Sequence, residues 1–413
     1  MKKLSILLLV FIFALCSFAD GTLYLIKDSN KINSIKEQYP LFLQFGNELI
    51  IKGSKDTIKK LKIDNPPSKD FYGELFIMKA RDPKASDLLN ESTEVIYMYN
   101  GFVLFSAKEG YDVLTKDHQT DKIQIRKVEF PEVYSSFREK NQVDFDQNIE
   151  DVLDTIDMER VKANLERLVA YKTRYTFTDE YKQCASDMKD LLTEIGYETK
   201  IQEFTSWYGK GDNVIAFKQG KTDKKILVVG HLDSTSEKAK TLAPGGDDNG
   251  SGSVGVIELA YILKDIDTNL SVEFILFGGE ENGLLGSYGY ARDNELENIV
   301  GVLNMDMIAF YKNTPNTVYI ETYEFARDFI YLVADCGKLY NDIETEISFH
   351  AFGSDHLPFL KKNIPAVLTI EKEWDLNPHY HKTTDDLRHI SFDYMEKFIR
   401  MNTATLLEMD KKL

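Results

Sequence analysis

The side chains that could perform chemistry are concentrated in the second half of this chain of 413 residues. Six of its seven histidines lie at or after His231. Imidazole nitrogens and carboxylate oxygens are common ligands of catalytic zinc sites, which keep one position open for water. The cysteines lack the C-x-x-C spacing of a thiolate site. The sequence therefore predicts a metal site with nitrogen and oxygen ligands.

Histidine and acidic side chains follow three apolar runs that are typical of buried strands. The runs at 226–230, 272–277 and 299–305 are followed by His231, by Glu280 with Glu281, and by Asp306. In open α/β sheets, ligands bind beyond the carboxyl ends of the strands. We therefore expect these four side chains to meet at one edge of a sheet.

Two loops and one neighbouring aspartate complete the candidate set. The turn-rich segment 243–252 contains Asp248, and one carboxylate with two oxygens can bridge two cations. The segment 377–386, which follows a strand predicted at 366–370, contributes His381. Asp233 lies two residues after His231, on the same face of an extended segment, so it could orient the imidazole.

Each of these motifs also has an ordinary explanation when taken alone. A histidine and an aspartate two residues apart are common in surface turns, and a pair of glutamates is usually solvated. The metal site is favoured because four separate strand ends deliver a ligand type in chain order. Two histidines and three carboxylates suffice for two cations. One of the adjacent Glu280 and Glu281 then stays available as a base.

Strands and helices alternate from residue 146 onward, which implies an α/β domain over 146–413. Its sheet should be mixed but mostly parallel, with helices on both faces. Helical periodicity is present at 149–169, 179–195, 251–263, 284–293, 324–340 and 394–411, and strands are predicted at 213–218, 226–230, 272–277, 299–305 and 366–370. The helix over 179–195 should end at Gly196.

Residues 20–145 are expected to form a separate, small α+β domain. They contain one histidine, His118, and no clustered ligand pattern. A weak internal similarity relates 45–61 to 99–114, and each segment is predicted to be a hairpin followed by a short helix. A pro-segment, a lid and a folding aid all remain open as the role of this domain.

Residues 1–19 have the pattern of a cleaved signal peptide. Two lysines precede an apolar run, and a small-x-small site ends at Ala19. We therefore expect export to a secreted, periplasmic or cell-surface location, with no stable membrane span after cleavage. Export would permit a disulfide between Cys184 and Cys336 without requiring one. The net charge of -17 argues against nucleic acid or an anionic membrane surface as a partner.

The motifs in 146–413 resemble the M28-type di-zinc aminopeptidase family of exported bacterial zinc exopeptidases, relatives of glutamate carboxypeptidase and glutaminyl cyclase. The resemblance begins near residue 149 and implies a zinc exopeptidase fold. It is carried by His231-x-Asp233, Ala243-Pro-Gly-Gly-Asp-Asp248, Glu280-Glu281-x-Gly-Leu-x-Gly-Ser287, Asn304-Met-Asp306-Met and Asn377-Pro-x-x-His381-x-Thr-x-Asp385.

The resemblance assigns a role to each candidate ligand. It implies two zinc ions, although ligand type alone does not exclude cobalt or manganese. The ions would be bound by His231 and Asp306, by Glu281 and His381, and by Asp248 as the bridge.

The same resemblance implies the chemistry. Glu280 would be the general base, Asp233 would orient the adjacent ligand, and a cis peptide bond is expected between Asp248 and Asn249. The activity would be hydrolysis of peptides at a free N-terminus. Some family members stabilise the oxyanion with a tyrosine shortly before a Ser-Asp-His segment, and none stands there in this chain. His350 and Tyr380 are the candidates instead.

Three alternatives stay open. A carboxypeptidase needs a cation that holds the substrate carboxylate, for which Arg174 and Arg388 are the residues to test. A glutaminyl cyclase uses a single zinc, whereas this chain keeps a full two-metal set. A non-catalytic, receptor-like binding module is disfavoured because Glu280 and every ligand position are retained.

Overall fold

The computed structural model describes residues 21–27, 35, 42–45, 48–53, 55–63, 66–71, 74–80, 93–99, 102–107, 123–128, 132–133, 143–349, 351 and 353–412. The predicted signal peptide at 1–19 lies outside them. Within these ranges, none of the helices has both the length and the apolar character needed to cross a membrane.

The N-terminal region up to residue 133 is built mainly from strands. Its described elements are β1 (Gly21–Ile26), β2 (Phe42–Phe45), β3 (Glu48–Gly53), α1 (Lys55–Lys60), β4 (Ser68–Phe71), β5 (Glu74–Ala80), β6 (Thr93–Tyr99), β7 (Phe102–Ala107), β8 (Ile123–Lys127) and β9 (Glu132–Val133). These strands form a five-stranded sheet, β4-β1-β3-β2-β9, and a four-stranded sheet, β6-β7-β5-β8. Apolar side chains of both sheets, such as Ile50 and Ile77, share one core.

Two hairpins in this region match the predicted internal similarity. β2 pairs antiparallel with β3, and α1 follows them as predicted. β6 pairs antiparallel with β7. The helix predicted after this second hairpin lies outside the described residues.

From residue 147 onward, helices and strands alternate. The helices are α2 (Gln147–Leu153), α3 (Met158–Val169), α4 (Asp179–Ile195), α5 (Gly252–Leu263), α6 (Leu285–Asp293), α7 (Arg327–Asn341), α8 (Leu357–Leu360) and α9 (Phe392–Lys411). The strands are β10 (Glu198–Ser206), β11 (Gly209–Lys218), β12 (Lys225–His231), β13 (Ser271–Phe277), β14 (Ile299–Met305), β15 (Thr317–Glu321), β16 (Glu344–Ser348) and β17 (Ala366–Glu371). Short helical turns lie at Gly246–Ser251, Glu280–Asn282, Glu324–Ala326, Trp374–Leu376 and Leu387–His389.

The strands of this second region form one mixed sheet in the order β10-β11-β13-β12-β14-β17-β15-β16. The central strands β13, β12, β14 and β17 are parallel, so their carboxyl ends lie at the same edge. β11 and β15 flank this group in the antiparallel direction. The predicted α/β fold with a mostly parallel mixed sheet is confirmed.

Helices cover both faces of the sheet. Along β12, Ile226 and Val228 belong to an apolar cluster that includes side chains of α3, α5 and α9. Leu227 and Val229 belong to the cluster on the opposite face, which includes side chains of α6 and α8. Successive side chains of a strand point to opposite faces. Burial on both faces therefore explains why the sequence of β12 is a continuous apolar run.

Some boundaries differ from the predictions, and others agree. β10, β15 and β16 were not predicted; β10 is an edge strand in which Phe204 is the buried residue, so it lacks an apolar run. The periodicity over 149–169 is divided into two helices, because Asp157 caps α3 by accepting the main-chain N–H groups of Glu159 and Arg160. α4 ends at Gly196 with a φ of 118°, as predicted.

The two cysteines are not paired with each other. Cys184 and Cys336 are buried free thiols. Burial raises the pKa of each thiol to about 12. Both therefore act as core residues in this fold.

Gly286 in α6 is packed too closely for a side chain. A Cβ atom there would overlap Oδ1 of Asn213 and the carbonyl oxygen of Gly278. We predict that Gly286→Ala lowers the free energy of unfolding by about 1–3 kcal/mol, measured by denaturant titration. Gly289→Ala is the matched control, since both substitutions gain the same helix propensity. The atom nearest to a Cβ added at Gly289 is Cβ of Phe204, at 3.0 Å. An equal loss of unfolding free energy in both variants would contradict the close packing around Gly286.

Candidate metal centre

The five predicted ligands lie together at the carboxyl edge of the parallel strands. His231 is the last residue of β12, and Asp306 directly follows β14. Glu281 lies in the turn after β13, Asp248 lies in the turn before α5, and His381 lies in the loop after β17. Four of the five are buried, and 22% of the His381 side chain is exposed.

The ligand atoms form two groups. In each, three side chains offer atoms that lie within 4.8 Å of one another: His231 with Glu280 and Asp306, and Asp248 with Glu281 and His381. In the first group, Nε2 of His231 is 3.3 Å from Oδ1 of Asp306 and 4.0 Å from Oε2 of Glu280. In the second, Nε2 of His381 is 3.1 Å from Oε2 of Glu281.

Asp248 connects the two groups. Its Oδ1 is 3.3 Å from Nε2 of His231, and its Oδ2 is 3.0 Å from Nε2 of His381. Neither oxygen has a further polar partner within the described residues, although both are buried. Burial acts to raise the pKa of this carboxyl, but the two imidazoles outweigh it and hold the pKa below its ordinary range.

This donor set fits a pair of zinc ions. Imidazole nitrogen and carboxylate oxygen are both zinc ligands, and the oxygens of Asp248 lie near both imidazoles with no other partner among the described residues. Burial disfavours a charge on His231, yet Glu280 and Asp306 raise its pKa well above the ordinary value. The site is therefore a buried concentration of negative charge that requires positive charge within it.

Asp233 holds the turn that carries the two glutamates. Its Oδ1 accepts the N–H of Glu280 at 3.2 Å, and its Oδ2 accepts the N–H of Glu281 at 3.3 Å. Thr176 donates its hydroxyl to the same Oδ2 at 2.8 Å. Nδ1 of His231 lies 3.0 Å from the main-chain carbonyl oxygen of Asp233 and 3.5 Å from its carboxylate. The nearer partner of the imidazole is thus the carbonyl oxygen, and not the carboxylate that the sequence suggested.

Two side chains fasten the loop of His381 to the turn of Asp248. The two carboxyl oxygens of Asp385 accept the main-chain N–H groups of Asp247, at 2.9 Å, and Asp248, at 3.0 Å. Asn377 donates to the carboxylate of Asp247 at 2.9 Å. Their place in the motif 377–385 was the only sequence signal for these contacts.

The peptide bond between Asp248 and Asn249 is cis, which confirms the expectation from the family resemblance. Asn249 donates its side-chain amide to the carbonyl oxygen of Met305 at 2.9 Å and accepts the N–H of Met307 at 3.1 Å. These hydrogen bonds hold the turn of Asp248 against the end of β14, beside Asp306.

Both arginines that could have held a substrate carboxylate are engaged within the chain. Arg174 is completely buried and donates to the carbonyl oxygens of Pro244 and Gly245, the latter at 2.8 Å. Arg388 is paired with Asp386 at 2.6 Å. Arg174 therefore supports the turn of the candidate bridging carboxylate instead of facing a substrate.

Of the two oxyanion candidates, Tyr380 lies beside the second group of ligands. Its ring stacks on the imidazole of His381, with 3.8 Å between the centroids and 27° between the planes. The centroid of the Trp374 ring lies 6.4 Å from that of the Tyr380 ring, in an edge contact. His350 lies outside the described residues.

A comparison with known families agrees with this arrangement. The model of peptidase family M28 matches residues 213–406, a range that contains all five predicted ligands. This part of the chain is therefore similar to peptidase family M28.

Individual proteins that are similar to this chain agree with the family match. Leucine aminopeptidase 1 of Metarhizium robertsii is 29% identical over 323 residues, which cover 71% of this chain and 78% of that relative. The solved structure of the LapA aminopeptidase of Legionella pneumophila has a TM-score of 0.59 at 18% identity and covers 82% of this chain and 99% of its own. BSAP, a zinc aminopeptidase from Bacillus subtilis, has a TM-score of 0.56 at 16% identity and covers 62% of this chain and 95% of its own. The solved structures establish the fold, and the family match together with the relatives supports a peptidase of the aminopeptidase type.

One supporting contact of the site gave no sequence signal of its own. Ser354 donates its hydroxyl to Oδ2 of Asp306 at 2.6 Å and accepts the side-chain amide of Asn304 at 2.8 Å. Ser354 belongs to the Ser-Asp-His segment, but a hydroxyl that contacts a residue 48 positions away leaves no periodic pattern.

We predict that Asp385→Asn weakens zinc binding to this protein by about tenfold or more, because its amide NH2 would face one of the two main-chain N–H groups. Asp386→Asn is the control: this neighbouring carboxylate pairs with Arg388 instead. The zinc dissociation constants of both variants are measured by competition with a chelator. An unchanged zinc affinity in Asp385→Asn would show that this carboxyl does not hold the turn.

Proposed function

We propose that this enzyme hydrolyses the first peptide bond of substrates with a free N-terminus, using two zinc ions and Glu280 as the general base. The carboxylate of Asp248 supports this proposal most strongly. One of its oxygens lies near His231 and the other near His381. A carboxylate shared by two ligand groups is typical of two-metal hydrolytic sites.

In this proposal each group holds one ion. His231 and Asp306 would hold the first, Glu281 and His381 would hold the second, and Asp248 would be shared by the two. Bound zinc would lower the pKa of a water molecule and polarise the scissile carbonyl.

Glu280 acts on the proton. Its carboxylate takes a proton from the attacking water and returns it to the leaving amine. Its position supports this role, since the main-chain N–H is held by Asp233 and the side chain is 5% exposed. Tyr380, stacked on His381, is the described candidate that would donate a hydrogen bond to the oxyanion.

The substrate is proposed to be a peptide with a free amino group. In this proposal the free amino group would lie near one zinc ion and the acidic side chains of the site. The carboxypeptidase alternative loses support because Arg174 and Arg388 are engaged elsewhere. A cyclase with a single zinc is disfavoured by the presence of two ligand groups. The name of the leucine aminopeptidase relatives makes leucine the first residue to test.

The domain division belongs to the same proposal. Residues 1–19 would be a signal for export, 20–145 an N-terminal domain, and 146–413 the catalytic domain. The described helix α2 begins at Gln147, close to the proposed boundary.

We expect the protein without residues 1–19 to release leucine from a leucyl peptide and not from its N-acetylated form. The reason is that acetylation blocks the free amino group that would lie near a zinc ion and the acidic side chains. Free amino acids are quantified by chromatography, and a chelator followed by added zinc tests metal dependence. Release of the C-terminal residue from the acetylated peptide would transfer the assignment to a carboxypeptidase.

The two adjacent glutamates form a matched pair for testing the base. We predict that Glu280→Gln keeps the zinc content of the wild type but lowers kcat by about a hundredfold or more. Glu281→Gln should instead lose zinc. The zinc content is measured by elemental analysis, and kcat is measured with a leucyl peptide. Loss of zinc from Glu280→Gln would make Glu280 a ligand, which its place 4.0 Å from Nε2 of His231 also permits.

A further inference from the structure

Four aromatic side chains form a row from the turn of the two glutamates to the tip of the β10–β11 hairpin. In order, they are Tyr175, Phe177, Tyr208 and Trp207. Their successive ring centroids are 5.9, 5.8 and 5.0 Å apart. We name these four residues the aromatic row.

The outer end of the aromatic row is exposed. Trp207 is 88% exposed and Tyr208 is 53% exposed. Contiguous exposed aromatic surface marks binding sites on soluble proteins, because rings without a partner are costly in water. Tyrosine and tryptophan bind apolar groups well, since they offer a large face together with one polar atom.

The inner end of the aromatic row is fixed to the candidate catalytic turn. The hydroxyl of Tyr175 accepts the side-chain amide of Asn282 at 2.9 Å, and Asn282 directly follows Glu281. Thr176 lies between the two inner members of the row. Its hydroxyl donates to Asp233 at 2.8 Å and accepts the N–H of Gly279 at 2.8 Å. The row therefore begins at the turn that carries Glu280 and runs from there to the tip of the hairpin.

This position determines which part of a substrate could reach the row. A general base that returns its proton to the leaving amine must lie within hydrogen-bond reach of that amine. The chain that follows the scissile bond is therefore on the side of Glu280. An extended peptide presents side chains to one face about every 6–7 Å, which is close to the spacing of the rings.

We propose that the aromatic row binds the segment of the substrate that follows the scissile bond. It favours peptides that carry aromatic or large apolar side chains in that segment. This inference rests on the proposed function, because the direction of the substrate depends on Glu280 as the base. The enzyme would then discriminate among oligopeptides by residues beyond the one that it releases.

Three substrates with the same first residue test the row. One leucyl tetrapeptide carries phenylalanine at its second and fourth positions. Another carries glycine at all three positions after leucine, and leucinamide has no following residue. For the wild type, we expect kcat/KM to be about tenfold higher for the phenylalanine tetrapeptide than for the glycine tetrapeptide. The double variant Trp207→Ala with Tyr208→Ala should remove this difference. It should keep the wild-type rate with leucinamide, which also shows that it is folded.

Phe145→Ala is the control variant. Phe145 is 52% exposed, like Tyr208, but its ring packs on Tyr340, with 5.7 Å between the centroids. It should keep the preference for the phenylalanine tetrapeptide. If the removal of any exposed ring lowered the preference, both the double variant and Phe145→Ala would lose it. That result would overturn the proposal.

Two further outcomes separate the inference from the proposed function. A wild type that hydrolyses leucinamide but treats both tetrapeptides alike overturns the role of the aromatic row and leaves the aminopeptidase mechanism standing. A wild type that hydrolyses none of the three overturns both. Sedimentation of the double variant completes the test: loss of a dimer with an unchanged peptide preference would assign the row to a second copy of this chain.

Discussion

Buried carboxylates lie together in this site, and positive charge is what makes their proximity tolerable. Asp248 is 3% exposed and has an imidazole near each oxygen. Around it, burial raises the pKa of Asp247 to about 6 and that of Asp355 to about 7. Burial raises the pKa of Asp385 and Glu371 well above their ordinary values. Isolated buried carboxylates of this kind hold protons, form hydrogen bonds or bind cations.

The acids divide into two kinds according to what their oxygens contact. Asp233 and Asp385 accept main-chain N–H groups and so hold loops in place. Asp248 is different, because its oxygens face the two imidazoles. Asp233 and Asp385 keep Asp248 close to the other carboxylates, because like-charged side chains would move apart if the turns were not fixed. Arg174 also holds the Asp248 turn in place, because its buried guanidinium donates to the carbonyl oxygens at the start of that turn.

The parallel strands give these loops a common origin. β12, β13, β14 and β17 are adjacent and end at the same edge, so a residue that follows any of them starts near the others. This explains why ligands separated by 150 positions, from His231 to His381, reach one small volume. The aromatic row uses the same edge, because Tyr175 is held by the turn that follows β13.

Much of this arrangement was predictable from local sequence. Continuous apolar runs marked β12, β13, β14 and β17, because a strand buried on both faces has no polar side. The residues that follow these runs supplied the candidate ligands, since the rule that sites lie beyond carboxyl ends needs only strand order along the chain. β10 was not predicted, because an edge strand with one buried residue has no such run.

The sequence by itself thus determined the kind of fold, the donor atoms and the loops that carry them. Only the tertiary structure decided that Glu280 lies beside His231 and Asp306, and which oxygen of Asp248 faces which imidazole. It also decided that Asp233 holds a turn, that Arg174 is a structural residue and that four rings form a row. The physical reason is the separation along the chain over which each signal acts. Periodicity and residue type depend only on burial and on local conformation. Hydrogen bonds between distant loops depend on distances that are set only when the sheet is assembled.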